Sequence, residues 1–382
     1  MSLESVNNFT ARIFNQLYIS QKETGNLAFS GIGLYVLLGV INLGVKGRSY
    51  DQLSSFLGED FNQLYGTESS RNTRTAEIFT HLRSLAEKIS RMKSALFCSC
   101  ELEVAFEQIS LLIWDLFHKD IPMSNPSQLA QVMNHWLSTR IDVSFQNMFH
   151  EWNMDIFEKL MLRDDRLIFI YTLYFHADWR TNFDSQLTEI DLFSDENGRQ
   201  MEVEMMNQKS FNRVFDASDY NFRIVFQDLN YGFIYSAIVL PRPGHSVHNV
   251  LRQFKFDQMN SYFERSELEY VDLRVPKFQI IAKNDLVDTL KNFGITDLFD
   301  PYLADFGRMT NKTVFIGNII QISNLVIDDF DLTEPHFIPK MDENSTLTIY
   351  EFYVRSPFLF LVFSFGANFV HISAVVTNPN VY

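Results

Sequence analysis

The sequence predicts a single α+β domain running from residue 1 to residue 382. Three observations carry that expectation. Helical periodicity dominates as far as residue 141, strand patterns dominate from Leu167 onward, and neither a repeat period nor a low-complexity linker divides the chain. The apolar share is 46%, with 37 Phe and 15 Tyr spread along the whole length, which is enough to fill a large core and argues against disorder.

Residues 3 to 18 read as an amphipathic helix, with Leu3, Val6, Phe9, Ile13, Phe14 and Leu17 on one face. Asn26 to Ser30 is a short strand. Gly31 to Val45 is hydrophobic nearly all round, which predicts a buried helix. Ser49 to Leu57 is another helix, and residues 68 to 93 form a polar helical region with a thin stripe of Ile78, Leu82, Leu85 and Ile89. After Ala95 the pattern turns to strand, then to helix over Phe106 to His118 and again over Gln128 to Ile141. Between 142 and 165, Trp152, Phe157 and Leu160 suggest local helix. Leu167 to Ala177 is a nearly continuous apolar run, the sign of a strand buried on both faces. Further strands are expected at Phe222–Asp228, Phe233–Leu240, Val271–Ile280, Val314–Ile327, Phe358–Phe365 and Phe369–Val376, with a turn at Pro241-Arg242-Pro243-Gly244.

Charge narrows the partners. Lys and Arg number 32 against 47 Asp and Glu, a net charge of −15, which disfavours nucleic acid and anionic membrane. No uncharged apolar stretch of about 18 residues exists, so no membrane-spanning helix is expected. The opening Met1-Ser2-Leu3-Glu4-Ser5 lacks a basic region and an apolar run, so no cleavable signal peptide is expected. Asn8-Phe9-Thr10, Asn311-Lys312-Thr313 and Asn344-Ser345-Thr346 fit the N-glycosylation pattern.

Catalysis is not expected. The chain lacks G-x-S-x-G, H-E-x-x-H, a P-loop and paired C-x-x-C. Gly31-Ile32-Gly33 resembles half a dinucleotide fingerprint, but Val36 stands where a third glycine belongs. His118, His135, His150 and His176 are scattered and are expected to cap or pack. Cys98 and Cys100 would share one side of a strand, and a disulfide between residues so close is geometrically awkward. Two ordinary buried or half-buried thiols are expected, with no metal or cofactor, because no further ligands sit nearby in the sequence.

Several segments together resemble the serpin family. Phe29-Ser30 and the helix ending Leu43-Gly44-Val45-Lys46-Gly47 resemble its strand-to-helix entry. Leu173-Tyr174-Phe175 with Trp179 and Phe183 resembles its central-sheet strand. Val203, Met205 and Met206, Ile238-Val239-Leu240-Pro241 and Val275-Pro276-Lys277-Phe278 match later strands. Gly294-Ile295-Thr296-Asp297-Leu298-Phe299 with Ala304-Asp305-Phe306 is a specific pair, and Pro357-Phe358-Leu359-Phe360 and Asn378-Pro379 close the chain in family order.

The resemblance implies an α+β serpin fold: three β-sheets, about nine helices and an exposed reactive-centre loop at about 331–355, in a protein expected to be monomeric. In inhibitory relatives a serine protease cleaves that loop, which then inserts into the main sheet and traps the acyl-enzyme. The resemblance favours an extracellular or cell-surface location, while the missing signal leaves the cytoplasm open. The bait bond falls near Ser345, Thr346 and Leu347; Tyr350, Phe352 or Leu347 would suit a chymotrypsin-like or elastase-like enzyme. The hinge is Asp331-Leu332-Thr333-Glu334-Pro335, followed by Pro339. Pro335 and Pro339 have no N–H, and a central strand uses every N–H, so each would leave a facing carbonyl unpaired at about 1–3 kcal/mol. A substrate-like, non-inhibitory binding role is therefore the alternative.

At the positions that control sheet opening, Ser30 matches the family. Gly33 stands in place of a second serine, Tyr171 in place of a buried asparagine, and Gln321 in place of a histidine, with Trp179 nearby. Arg71, Arg74, Arg83, Lys88, Arg91 and Lys93 lie where some relatives bind heparin, but they do not make one stripe, and Glu77 and Glu87 interrupt them. Asp328, Asp329 and Asp331 are expected to keep the base of the loop soluble.

Overall fold

The computed structural model describes residues 3–65, 73–149, 163–329 and 348–381. The proposed hinge and bait residues, Asp331 to Pro339 and Ser345 to Leu347, lie outside the described residues, as do Arg71, His150, Trp152, Phe157 and Leu160. The chain divides into two compact units.

The first unit comprises residues 32–174 and 282–323. Its helix α2 (Gly31–Gly44) is buried all round, as its composition demands. A Cβ on Gly39 would meet the Phe79 ring at 2.3 Å, so only glycine lets that ring lie against the helix. Helix α4 (Arg74–Ile89) is capped by Thr73, whose hydroxyl accepts from the Ala76 N–H at 3.2 Å. The main sheet has five strands, β2 (Ser94–Cys98), β3 (Leu116–Asp120), β4 (Arg166–His176), β10 (Phe278–Asp285) and β11 (Phe315–Ile327), in the order β10-β11-β4-β2-β3. β4 is almost wholly buried along its length.

Two expectations are corrected here. The helix over Phe106–His118 is shorter: α5 spans Val104–Trp114, and Asp115 takes a left-handed conformation (φ 51°, ψ 38°) that ends it. Leu116–Asp120 then runs as β3, parallel to β2. Cys98 and Cys100 are not free thiols but a disulfide. β2 ends at Cys98 and the chain bends at Ser99, which brings the two Cα atoms to 5.4 Å, inside the normal range for a bridge. The fold also brings a further ligand type to the pair, because His118 Nε2 of β3 lies 3.4 Å from Cys98 Sγ.

The second unit comprises residues 2–31, 175–281 and 324–382. Its nine-stranded sheet has the order β1-β14-β13-β8-β7-β6-β9-β12, with β5 on β6. The strands are β1 (Leu27–Phe29), β5 (Glu189–Ser194), β6 (Gln200–Phe215), β7 (Phe222–Asp228), β8 (Ile234–Pro241), β9 (Glu267–Pro276), β12 (Tyr350–Tyr353), β13 (Phe358–Ser364) and β14 (Phe369–Val376). Two of the three expected sheets are continuous, because the 16-residue β6 pairs with β9 over Met205–Val214 and with β7 over Arg213–Phe215. The strand expected over Val271–Ile280 is two, broken at Lys277 after Pro276, which has no N–H to continue the ladder. Helix α1 (Leu3–Ser20) matches its apolar face, with Val6, Phe9, Ile13, Phe14 and Leu17 buried. Nine α-helices are present among the described residues.

Candidate functional site

The strands that matter most are β4 and β11, which are hydrogen-bonded neighbours in the five-stranded sheet. In the first unit the Phe315 N–H donates to the Asp165 carbonyl at 3.0 Å; in the second, the Ala177 N–H donates to the Val326 carbonyl at 3.1 Å. The residue numbers rise together, so the strands run parallel, and no strand lies between them.

Side chains reinforce this seam. In the first unit Arg166, 2% exposed, donates from Nη2 to Asn318 Oδ1 at 2.8 Å, and Asn318 Nδ2 donates to Asp285. Further along, the Tyr171 hydroxyl donates to Gln321 Oε1 at 2.8 Å, both residues being fully buried. Burial also drives the Tyr171 phenol far above its ordinary pKa, so it stays a donor. The sequence places Gly33 and Tyr171 far apart, and the fold joins them: a Cβ on Gly33 would lie 2.9 Å from two carbons of the Tyr171 ring and 2.9 Å from Met92 Sδ. Gly33 and the Tyr171 ring thus share one volume. Gly33→Ser is expected to destabilise the protein by about 1–3 kcal/mol by overpacking, and adding Tyr171→Asn is expected to recover most of the loss. A double-mutant cycle by urea denaturation checks this; strict additivity would refute the coupling.

In the second unit the end of the seam is closed by Asp328. The Trp179 Nε1–H donates to its carbonyl at 3.0 Å, and His176 Nε2 lies 2.8 Å from its Oδ1. Asp329 accepts from the Thr188 hydroxyl at 2.6 Å and pairs with Lys277 Nζ at 2.9 Å. Burial alone would lower the Lys277 ammonium, but Asp329, Glu204 and Asp328 outweigh it and hold it above its usual value. Asp328 and Asp329 are thus anchors and not a solubilising cluster, because each carboxylate already has a fixed partner. Ser30 donates to the His371 carbonyl at 3.2 Å.

At the other end of the loop region, β12 pairs in parallel with β9, Tyr350 opposite Val271 and Tyr353 opposite Arg274. Residues 350–353 are therefore a sheet strand. Phe352 is fully buried, which excludes it as a bait side chain in this state, and the half-buried Tyr350 donates its hydroxyl to Asp216. Arg355 grips Asp191 through Nε at 2.9 Å and Nη2 at 2.7 Å.

Both receiving carboxyls sit below their ordinary pKa. Burial would raise Asp191, but Arg355, the Leu192 N–H and Arg274 outweigh it; burial would raise Asp216, but Tyr350 and Arg242 outweigh it. A depressed carboxyl contributes stability above its unfolded pKa and loses it as pH falls through its folded pKa. Hydrogen exchange in residues 350–355, corrected for the pH dependence of the chemistry, is expected to hold steady from neutral pH down to about 5 and to rise below 3.8. Asp191→Asn is expected to raise that exchange already at neutral pH; unchanged exchange would refute the anchor.

Of the basic residues, Arg91 and Lys93 are committed. Arg91 donates to the Ile141 carbonyl at 3.0 Å and lies over the Tyr174 ring, and Lys93 pairs with Asp115 at 2.8 Å and Glu87 at 3.1 Å. Arg83 is partly buried, leaving Arg74 and Lys88 as the exposed cations of α4.

The family model described as Serpin (serine protease inhibitor) matches residues 4–379. Among curated proteins, human Serpin I2 is 22% identical, covering 97% of this chain and 90% of its own. The leukocyte elastase inhibitor of Xenopus laevis is 25% identical, covering 89% of each, and the glia-derived nexin of Rattus norvegicus is 22% identical, covering 86% and 82%. Among solved structures, native protease nexin-1 with heparin superposes with a TM-score of 0.84 at 21% identity, and serine protease inhibitor (serpin)-12 of Manduca sexta with 0.81 at 18%, each covering 99% of both chains.

Proposed function

The chain belongs to the serpin family, and from that premise we propose that it is a serine protease inhibitor that presents residues about 331–355 as a bait loop and traps the attacking enzyme by inserting the cut loop between β4 and β11. The whole of residues 1–382 acts as one domain in this reading. The observation that carries it is the seam: two parallel strands bonded directly to each other, with Asp328 and Asp329 fixing the chain before the loop and Tyr350 and Arg355 fixing it after. A parallel pair is the one arrangement that accepts a new strand antiparallel to both, and a chain leaving β11 and turning back runs in that direction.

The target is a chymotrypsin-like or elastase-like serine protease meeting the segment around Ser345, Thr346 and Leu347, with Asp331, Leu332, Thr333, Glu334, Pro335 and Pro339 as the hinge. Ser30, Gly33, Tyr171, Trp179 and Gln321 govern opening of the sheet. The chain is mixed with chymotrypsin-like, elastase-like and trypsin-like enzymes and run on denaturing gels, with thermal melts before and after cleavage. A covalent band and a large gain in Tm are expected. Cleavage with neither result replaces this reading with the second one, a substrate-like serpin, which the two hinge prolines and the side-chain bridges across the seam favour.

Glycosaminoglycan binding is a minor part of this reading. Because Arg91 and Lys93 are tied to other groups, elution from immobilised heparin is expected below about 0.15 M salt. Elution well above that concentration would refute it.

A further inference from the structure

We propose that Cys98, Cys100 and His118 form a zinc site that exists only when the disulfide is open. The two cysteines and the histidine are the one group of three ligand-bearing residues among the described residues whose ligand atoms all lie within 4.8 Å of one another. Two thiolates and an imidazole are a donor set that zinc takes, with a water in the fourth position. Both cysteines are buried, while His118 is only half-buried, which leaves room for that water.

One sulfur–nitrogen pair already stands at a coordinating distance. With Zn–S near about 2.3 Å and Zn–N near about 2.0–2.1 Å, a tetrahedral ion holds its sulfur and nitrogen ligands about 3.6 Å apart. Cys98 Sγ and His118 Nε2 lie 3.4 Å apart. The frame does not depend on the S–S bond. The Ile121 N–H holds the Cys98 carbonyl at 2.8 Å, Lys312 Nζ holds the Ser99 carbonyl at 2.8 Å, and β2 pairs with β3 from Ser94–Leu116 to Cys98–Asp120. The motion required is a separation of the two sulfurs to about 3.8 Å, the edge of the same tetrahedron.

The chemistry is an exclusive choice. A small thiol of the glutathione class reduces the bridge: two such thiols supply two electrons and two protons, the S–S bond breaks into two cysteine thiols, and the reductant leaves as its own disulfide. Zinc then displaces one proton from each thiol, forming two Zn–S bonds and a neutral dithiolate centre to which His118 adds as a neutral donor. A small disulfide of the same class reverses the exchange: it accepts two electrons and two protons to leave as two thiols, the Cys98–Cys100 bond re-forms, and Zn²⁺ is released. Only the zinc form ties the edge strand β3 to β2, through His118; the disulfide closes the turn that follows β2 and leaves β3 held by the backbone ladder alone.

Cobalt(II) is the probe, because its thiolate charge-transfer and tetrahedral d–d bands report ligand type. The full chain, reduced anaerobically with a phosphine, is expected to develop both bands up to a single equivalent of cobalt and to lose them when zinc is added. The unreduced chain and Cys98→Ser are expected to show no charge-transfer band. His118→Asn is expected to bind about tenfold or more weakly with shifted d–d bands. Absence of the bands in the reduced wild-type chain overturns the proposal, as do bands that His118→Asn leaves unchanged; the comparison of reduced with oxidised wild-type chain needs no variant to fold.

Discussion

Replacing Trp179 with alanine is expected to cost the protein about 3–5 kcal/mol, the range for deleting a buried indole. Trp179 is 1% exposed and packs edge-on against Phe183 at a ring separation of 5.4 Å. Its N–H holds the Asp328 carbonyl at 3.0 Å, so the loss is of a hydrogen bond as well as of packing. Trp179→Phe separates the two: most of the ring volume stays, and leaving the carbonyl without that donor adds about 1–3 kcal/mol. The denaturant midpoint followed by far-UV circular dichroism reads both variants. A loss under about 1.5 kcal/mol for Trp179→Ala would show that the site collapses around the gap. Because Asp328 begins the segment that leads into the loop, the same variant is expected to accelerate cleavage within residues 331–347 under limiting protease.

How much of this was legible beforehand depended on whether burial left an apolar trace. β7 and β14 match their expected ranges, and β4 lies within a residue of its own, because most side chains in them are buried and apolar. β6, the longest strand, left no such trace. Its core-facing positions include Gln208, Ser210 and Asn212, which satisfy one another: Ser210 donates to Gln208 at 2.9 Å and Asn212 donates to Ser210 at 2.9 Å. A buried polar ladder reads as surface in any hydropathy pattern. β3 was hidden differently, by one left-handed Asp115 inside an otherwise helical run. The disulfide leaves no trace in strand spacing, because the chain bends just past Cys98. At the seam, Tyr171, Gly33 and Gln321 stood out as departures from the family's pattern, but their mutual fit is a matter of volume in three dimensions. Arg166, Asn318 and Asp285 carried no signal at all, since a charged residue at a strand end usually meets solvent.

That unannounced trio makes the second large prediction. Arg166→Ala is expected to cost about 3–5 kcal/mol at neutral pH, because it leaves Asn318 Oδ1 without its donor and removes a buried cation whose charge favours the Asp285 carboxylate. Gly317 belongs to the same arrangement, since a Cβ there would sit 2.2 Å from Arg166 Nε. The pH dependence has a definite sign. Burial raises the Asp285 carboxyl above its ordinary 3.8, against the hydrogen bonds from Asn318, Val287 and Ile319. A raised carboxyl leaves stability fully present below the unfolded pKa and removes it as pH rises through the folded one. The defect of Arg166→Ala should therefore shrink on acidification towards 4 and grow towards neutrality; a defect independent of pH would refute the charge argument. Arg166→Met with Asp285→Asn keeps volume and removes both charges, and is expected to restore most of the stability. The double variant also isolates function. Inserting a strand between β4 and β11 would move them apart by about 4.8 Å, which breaks every bond across the seam, the Arg166–Asn318 bridge at 2.8 Å included. With that bridge gone and stability kept, insertion of a cut loop should proceed faster. An unchanged rate in the double variant would mean that the barrier lies elsewhere along the seam, at Tyr171–Gln321 or at Asp328.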